Sequence, residues 1–226
     1  MIVLTIAGFD PSGRAGVLAD VWAINASKGA ARAAITALTA QGRRFSSTPV
    51  EPSVLRAQIK AVIRDAAAIK VGMVPNLGSL AVIRAELRAG SAPIVIDPVV
   101  RSSRGEPLSS LTPRDYLSMG KLGAVITPNR AELQWLGVDA AGLLAAGFSG
   151  VVLKGSDGAT DEVFSPGRHL VLRGTRLPRS TLHHRGTGCR FGSGMAVALA
   201  RGEDLFTAAS SAKRLVRKFL RAPIIP

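Results

Sequence analysis

The sequence predicts an α/β domain built around a parallel sheet. Short apolar runs rich in valine and isoleucine recur along the 226 residues, and such runs are typical of strands buried on both faces of a sheet. Segments with the spacing of amphipathic helices lie between them, the alternation expected of strand–helix–strand units. With 47% hydrophobic residues, the chain can bury a full core, and we expect a single domain over residues 1–226.

The predicted elements follow one another in a regular order. The strands are the apolar runs Ile2–Ala7, Ala34–Thr39, Ala68–Val71, Pro93–Ile96, Ala124–Ile126 and Val151–Leu153. The helix after the first strand ends at Gly29, and another begins at Pro52 and Ser53, residues that favour the first positions of a helix. Helices therefore connect the strands, as neighbouring parallel strands require.

The pattern changes after Lys154. Turns rich in Gly, Ser and Asp surround the apolar runs Val163–Phe164 and Leu170–Leu172, which predicts a short hairpin. Two helices follow, the first from Gly188 to about Arg201. The second has an apolar stripe and a basic opposite side, which indicates a terminal helix packed on the core. A helix lying on a membrane surface is the alternative.

Composition and charge narrow the function classes. Lys and Arg number 29 against 15 acidic residues, a formal net charge of +14. The basic residues are scattered and few aromatic residues accompany them, so we expect no nucleic-acid partner. Cys189 is the only cysteine, which excludes an intrachain disulfide and favours a cytoplasmic protein. No run approaches the roughly 20 apolar residues of a membrane span, and we expect no membrane partner.

Polar residues follow the predicted strands at the edge where an open parallel sheet binds its ligands. They are Gly8–Gly13, Gln41–Gly42, Gly72–Met73, Asp97–Pro98, Thr127–Asn129 with Glu132, and Lys154–Gly155. Each segment alone is also an ordinary turn, but their joint occurrence predicts a site. The glycine-rich turn Arg185–Cys189 opens a helix and would present N–H groups to an anion. It lacks the Lys-Ser pair of a Walker loop, so from the residues alone a structural helix entry is equally open.

These motifs, in this order, resemble those of hydroxymethylpyrimidine and phosphomethylpyrimidine kinases. That family opens with Gly-x-Asp-Pro-Ser-Gly-Gly-Ala-Gly and then Ala-Asp, matched here by residues 8–16 and by Ala19 and Asp20. The later matches are Thr36–Gln41, Lys70–Met73, Asp97–Val99, Thr127–Asn129 with Glu132, Leu153–Gly155 and Gly186–Cys189. The resemblance covers nearly the whole chain and implies a ribokinase-like three-layer α/β/α sandwich with a central, mostly parallel sheet.

The resemblance implies ATP-dependent phosphorylation of 4-amino-5-hydroxymethyl-2-methylpyrimidine, of its monophosphate, or of both, in thiamine biosynthesis. ATP and Mg²⁺ would be the cofactors. A homodimer is the assembly expected by analogy, since ribokinase-like proteins often dimerise. Two alternatives stay open: a pyridoxal-type vitamin kinase, and a catalytically impaired homologue that binds or senses the ligand.

The resemblance also assigns roles to residues. The transferred phosphoryl group would lie on the turn formed by Gly186, Thr187, Gly188 and Cys189. The pyrimidine would contact Ala15, Asp20, Gln41, Met73 and Val99. The ATP phosphates would meet Asn129, Lys154, Thr187 and Gly188, and Asp97 and Glu132 would hold Mg²⁺, in part through water.

Two interpretations of Cys189 are open. The wider ribokinase class has an aspartate base at this place, so a thiol whose pKa is lowered by the helix N-terminus could assist in removing the substrate proton. A small buried residue that merely fits beside the phosphoryl group is the other interpretation.

The chain also departs from the family pattern near the expected site. Arg14 replaces a glycine beside the pocket, where it would either pair with a substrate phosphate or obstruct the ligand. Arg185 and Arg190 flank the glycine turn where the family usually has histidine and threonine, and Leu18 and Trp22 replace polar residues. These departures motivate the hypothesis of a catalytically impaired homologue.

Overall fold

The computed structural model describes residues 1–41, 45–88, 90–155, 159–175 and 185–221. Its strands are β1 (Ile2–Phe9), β2 (Ala30–Gln41), β3 (Phe45–Pro49), β4 (Ala66–Val71), β5 (Ile94–Ile96), β6 (Val125–Ile126), β7 (Gly150–Leu153), β8 (Thr160–Ser165) and β9 (Arg168–Arg173). Its α-helices are α1 (Gly16–Ala26), α2 (Pro52–Val62), α3 (Leu77–Leu87), α4 (Pro113–Leu117), α5 (Arg130–Leu136), α6 (Ala140–Ala145), α7 (Thr187–Ala200) and α8 (Leu205–Arg221).

The described strands form one sheet in the order β3-β2-β1-β4-β5-β6-β7-β8-β9. The central strands β2, β1, β4, β5, β6 and β7 run parallel, whereas β3, β8 and β9 pair antiparallel at the two edges. The predicted mostly parallel sheet and the predicted hairpin are therefore confirmed. Because the parallel strands point the same way, their carboxyl ends meet at one edge, and this edge carries the site.

Helices cover both faces of the sheet. Successive residues of β1 point to opposite faces: Leu4 and Ile6 join a core with α2 and α3, whereas Val3 joins a core with α7 and α8. This alternation follows from the two-residue period of a strand. The result is three layers, helices on each side of a sheet whose central strands are apolar on both faces.

Among the described strands, β3 is the one that the sequence did not predict. It is the segment Phe45–Pro49, whose middle residues Ser46, Ser47 and Thr48 are polar. As an edge strand, β3 pairs with β2 alone and is largely exposed, so it needs no apolar run. Strand pairing here comes from backbone hydrogen bonds that composition does not reveal.

Helix α8 is a terminal helix packed on the core, as predicted. It buries Phe206, Ala208, Ala209, Ala212 and Leu220. The membrane-surface alternative is not supported, because this apolar stripe is already covered by the protein. Among the described helices, none combines the length and apolar character needed to cross a bilayer.

Candidate active site

Two adjoining cavities lie at the carboxyl edge of the parallel strands. The inner cavity is the smaller of the two, and its lining includes Gly8, Asp10, Thr39, Lys70 and Met73. The outer cavity has a volume of about 620 Å³, and its lining includes Asp97, Asn129, Glu132, Lys154 and the turn Arg185–Cys189. Ala15, Val99 and Cys189 line both cavities. Apart from Gln41–Gly42, the strand-end segments predicted from the sequence therefore meet around these two cavities.

The glycine turn lines the outer cavity, and its last residue, Cys189, also lines the inner one. Gly186 caps α7 with a left-handed backbone (φ +74°), and within the described residues no side chain caps this helix end. A β-carbon on Gly186 would lie only 2.0 Å from the carbonyl oxygen of Arg14, so only glycine fits there. The first N–H groups of α7 thus open onto the outer cavity with the positive end of the helix dipole behind them.

A lysine and two carboxylates face this turn. Lys154 Nζ lies 2.6 Å from Asp97 Oδ1 and 3.9 Å from Glu132 Oε2. Burial alone would lower the pKa of Lys154, but Asp97 and Glu132 outweigh it and the pKa is raised. Gly188 lets this group approach, since a β-carbon there would lie 3.1 Å from Lys154 Nζ.

Asn129 and Glu132 form a capping box at the start of α5. The Asn129 N–H donates to Glu132 Oε2 at 2.8 Å, and the Glu132 N–H donates to Asn129 Oδ1 at 2.9 Å. This reciprocal pair holds Glu132 beside Lys154. Burial raises the pKa of Glu132 to about 7, with Asp97 adding to the rise and Lys154 opposing it.

Asp97 is the residue here whose hydrogen bonds are incomplete. Its Oδ2 atom is buried and has no hydrogen-bond partner among the described residues. The described residues contain no group of three His, Cys, Asp or Glu side chains able to hold a metal alone. Mg²⁺ usually takes one or two carboxylates and completes its shell with phosphate oxygens and water. Asp97 and Glu132 fit that donor set, with the remaining ligands supplied by a bound phosphate.

Asp20 lies behind the inner cavity and is absent from the lining of both cavities. Lys70 Nζ lies 2.9 Å from each of its carboxylate oxygens. The hydroxyls of Thr5 and Ser193 also donate to this carboxylate, at 2.6 and 2.9 Å. A direct contact between Asp20 and a substrate ring does not fit this position, because internal donors already occupy both oxygens.

Lys70 is a site residue that sequence reasoning missed. Its side chain is fully buried, and it lines the inner cavity beside Cys189. A signal was present, since a lysine inside the apolar run Ala68–Val71 must find a buried acidic partner. The sequence did not identify that partner as Asp20.

The remaining predicted pocket residues divide into three cases. Ala15, Met73 and Val99 line the inner cavity as expected. The side chain of Gln41 lies outside what the structure describes, so its predicted contact stays a prediction. Arg14 is exposed and lines neither cavity, which argues against obstruction of the pocket, whereas the alternative contact with a substrate phosphate stays a prediction.

The expectation of a lowered pKa for Cys189 is wrong. Burial raises the pKa of this thiol to about 11, and although Lys70 and the Gly16 N–H act in the opposite direction, they do not overcome it. Loss of water therefore outweighs the favourable contacts with Lys70 and the Gly16 N–H. At neutral pH Cys189 carries its proton.

Asp10 is a second residue that the sequence analysis left unassigned. Its Oδ1 atom accepts hydrogen bonds from the Ser12 N–H at 3.1 Å and the Ser12 hydroxyl at 2.8 Å. Its Oδ2 atom is buried without a hydrogen-bond partner in the described part of the chain, and the residue lines the inner cavity. The sequence Asp10-Pro11 is typical of an ordinary turn. This pattern therefore does not indicate that the Oδ2 atom of Asp10 is available to accept a hydrogen bond.

A family profile and individual proteins similar to this chain carry the same family name. The profile described as Phosphomethylpyrimidine kinase matches residues 10–225. A Hydroxymethylpyrimidine/phosphomethylpyrimidine kinase of Haemophilus influenzae is 32% identical, covering 98% of this chain and 91% of its own. A protein of the same name from Streptomyces coelicolor is 34% identical, covering 95% and 87%.

Solved structures agree on the fold. The pyridoxal kinase from Staphylococcus aureus in complex with pyridoxal superposes with a TM-score of 0.86 at 25% identity. The same kinase in complex with AMP-PCP gives a TM-score of 0.84 at 25% identity. Each superposition covers 100% of this chain and 90% of the other.

Proposed function

The chain belongs to the phosphomethylpyrimidine kinase family, and on this premise we propose that it phosphorylates 4-amino-5-hydroxymethyl-2-methylpyrimidine, its monophosphate, or both, with ATP as donor, in thiamine biosynthesis. The ribokinase-like α/β/α fold predicted from the motifs is confirmed by the structural neighbours. The family makes the chain a kinase. The choice of acceptor among flat hydroxymethyl heteroaromatics is the part that needs an assay.

The position of Cys189 carries the proposal. This residue lines both cavities, and the uncapped N-terminus of α7 begins beside it. A ring in the inner cavity would present its hydroxymethyl oxygen to the space where the N–H groups converge. Phosphoryl transfer needs mainly positioning and stabilisation of charge on the phosphoryl oxygens, and this helix end provides both.

The inner cavity would hold the pyrimidine. Met73 and Val99 are placed to pack on the ring, and Ala15 leaves room for it. The free Oδ2 atom of Asp10 would accept a hydrogen bond from the 4-amino group, which removes an unsatisfied buried acceptor. The Gln41 amide has the donor and acceptor that an aminopyrimidine edge requires, and its contact is part of the proposal.

The outer cavity would hold the phosphates of ATP. The Lys154 ammonium and the N–H groups of Thr187 and Gly188 would bind phosphate oxygens, and Asn129 would support them from the adjacent wall. Mg²⁺, held by Asp97 and Glu132 in part through water, would neutralise phosphate charge. Lys154 Nζ lies 2.6 Å from Asp97 Oδ1, so the ammonium is held at the wall of the cavity where the phosphates would bind.

The state of Cys189 limits its chemical role. With a pKa of about 11, the thiol is protonated at neutral pH and does not accept the substrate proton. In a loose transition state the attacking hydroxyl keeps its proton until late in the reaction, and a phosphoryl oxygen can then accept it. Cys189 would therefore serve by shape, beside the N–H groups that bind the phosphoryl oxygens.

A coupled assay of ADP release tests the proposal and its competitors. We expect turnover with the hydroxymethylpyrimidine or its monophosphate, and a lower kcat/KM with pyridoxal. The likeness to pyridoxal kinase structures motivates that second candidate, and a higher kcat/KM for pyridoxal would establish it. No turnover with any of the three, together with a thermal shift on adding them, would instead support a ligand-binding homologue.

We also propose that the protein forms a homodimer, by analogy with its structural class. Sedimentation velocity at the enzyme concentrations of the assay would measure the mass in solution. A single species at the mass of one 23.5 kDa chain would refute this assembly.

A further inference from the structure

Arg190 occupies an unusual position directly behind the glycine turn. It follows Cys189 in the first turn of α7 and is 5% exposed, but it lines neither cavity. Its guanidinium carbon lies 3.9 Å from the centre of the Phe219 ring and 5.2 Å from that of Trp22. Contact with aromatic faces stabilises a cation that has lost much of its water.

The same guanidinium joins two segments of the site. Its Nη1 atom donates to the carbonyl oxygens of Arg14 at 3.1 Å, Gly186 at 3.2 Å and Arg185 at 3.3 Å. The first carbonyl belongs to the loop before Ala15 and the other two belong to the glycine turn. Three carbonyl dipoles that converge on one place repel each other, and a cation between them offsets this repulsion.

Two departures from the family pattern meet at this place. Arg190 stands where the family usually has threonine, and Trp22 stands where it usually has a polar residue. The carbonyl of Arg14 belongs to the backbone, so it is present whatever side chain position 14 carries. A threonine side chain is too short to span these carbonyls. Considered separately, these two changes indicate loss of activity, but in the structure the two side chains contact each other. We call Arg190 with Trp22 and Phe219 the arginine clamp.

We propose that Arg190 is a positioning residue for phosphoryl transfer, which fixes the glycine turn against the loop at Arg14 so that the N–H groups of α7 face the phosphoryl group. The proposal rests on the kinase function proposed above. Carbonyl oxygens turned toward Arg190 point away from the outer cavity, where they would repel phosphate. The aromatic rings hold the guanidinium in one orientation, which a lysine side chain in the same place does not reproduce.

Kinetics test the proposal with Arg190→Ala, Arg190→Lys and the control Arg214→Ala, which removes an exposed arginine of α8. We expect Arg190→Ala to lower kcat about 30-fold, with the KM for the pyrimidine changed less than about twofold, because a misplaced turn affects mainly the transferring group. Arg190→Lys should also lose most of kcat, and Arg214→Ala should match the native enzyme. Guanidinium at about 20 mM, far below denaturing concentrations, should restore part of kcat to Arg190→Ala only.

A purely structural role predicts a different result. If both Arg190 variants keep kcat within about twofold of native while their unfolding midpoints fall, the positioning role is wrong. Failure of rescue together with a larger change in pyrimidine KM than in kcat would also overturn it.

Amide hydrogen exchange of the unliganded protein separates this proposal from the kinase function. Arg190→Ala should exchange faster than native at residues 14–16 and 185–189, and Arg214→Ala should not. Unchanged exchange in both segments refutes the clamp, whether or not the protein turns over. Absence of native turnover alongside faster exchange would refute the proposed function and, with it, the catalytic half of the clamp proposal.

Discussion

Two lysine–aspartate pairs lie at neighbouring strand ends, and their surroundings differ. In the Lys70–Asp20 pair both side chains are fully buried, and Thr5 and Ser193 complete the hydrogen bonds of the carboxylate. In the Lys154–Asp97 pair the lysine side chain is 12% exposed, and one carboxylate oxygen has no partner among the described residues. The first pair is complete within the protein, whereas the second has capacity for a ligand.

The difference shows that neither burial nor ion pairing alone identifies a functional residue. Both pairs have short contacts, at 2.9 and 2.6 Å, and burial opposes the charge of both lysines. What distinguishes them is whether every polar atom already has a partner. We therefore expect the Lys70 pair to control stability and the Lys154 pair to control turnover.

Of the variants considered, we expect Lys70→Met to have the largest effect, which is a loss of stability. It would leave the Asp20 carboxylate buried without its counter-ion, which costs about 3 to 5 kcal/mol in the free energy of unfolding. Chemical denaturation measures this change. The double variant Lys70→Met/Asp20→Leu should recover much of the loss, because no uncompensated charge remains. A single variant within about 1 kcal/mol of native would contradict the internal role of the pair.

Lys154→Met should act on turnover instead. Removing a cation that faces the transferring phosphates should lower kcat about 100-fold, and Lys154→Arg, which keeps the charge, should retain more of it. Steady-state kinetics with the pyrimidine and ATP give the result. If Lys154→Met keeps kcat within about twofold of native, the contrast between the two pairs fails.

Much of the fold follows from the sequence, because its central strands are buried on both faces and therefore appear as apolar runs. The positions of the candidate site follow as well, since residues after parallel strands must meet at one edge. The ion pair between Lys70 and Asp20 does not follow from the sequence, because 50 positions separate the two residues. Only the folded backbone shows that these two side chains face each other.

The departures from the family pattern give the same lesson. Trp22 and Arg190 look unrelated in the sequence, and each alone suggests damage to the site. In the structure the guanidinium of Arg190 lies over the ring of Trp22. Contact between two distant substitutions depends on the folded backbone, which a single sequence does not show.

The pH dependence of stability tests the role of Glu132 beside the Lys154–Asp97 pair. We expect a change on the order of 2 kcal/mol in the free energy of unfolding. The pKa of Glu132 is raised from 4.5 to about 7, so between these values the folded protein binds more protons than the unfolded chain. Stability therefore decreases as pH rises through this window. Glu132→Gln removes the titrating group while keeping an acceptor for the cap, so its unfolding free energy should rise relative to native between pH 5 and 7. Parallel stability curves for the two proteins would contradict the burial of a charge beside Asp97.

Cys189→Ala should have the smallest effect, because the thiol meets both cavities without supplying charge. With a pKa of about 11, only a minute fraction is thiolate at neutral pH, and loss of shape alone should lower kcat about threefold. The pH dependence of kcat between pH 6 and 9 should keep its form, and Cys189→Ser should lie close to native. A loss above about 100-fold, with a changed alkaline limb, would make the thiol the base after all. The phosphoryl-binding role would then rest on Lys154 and the α7 N–H groups, with proton removal assigned to Cys189.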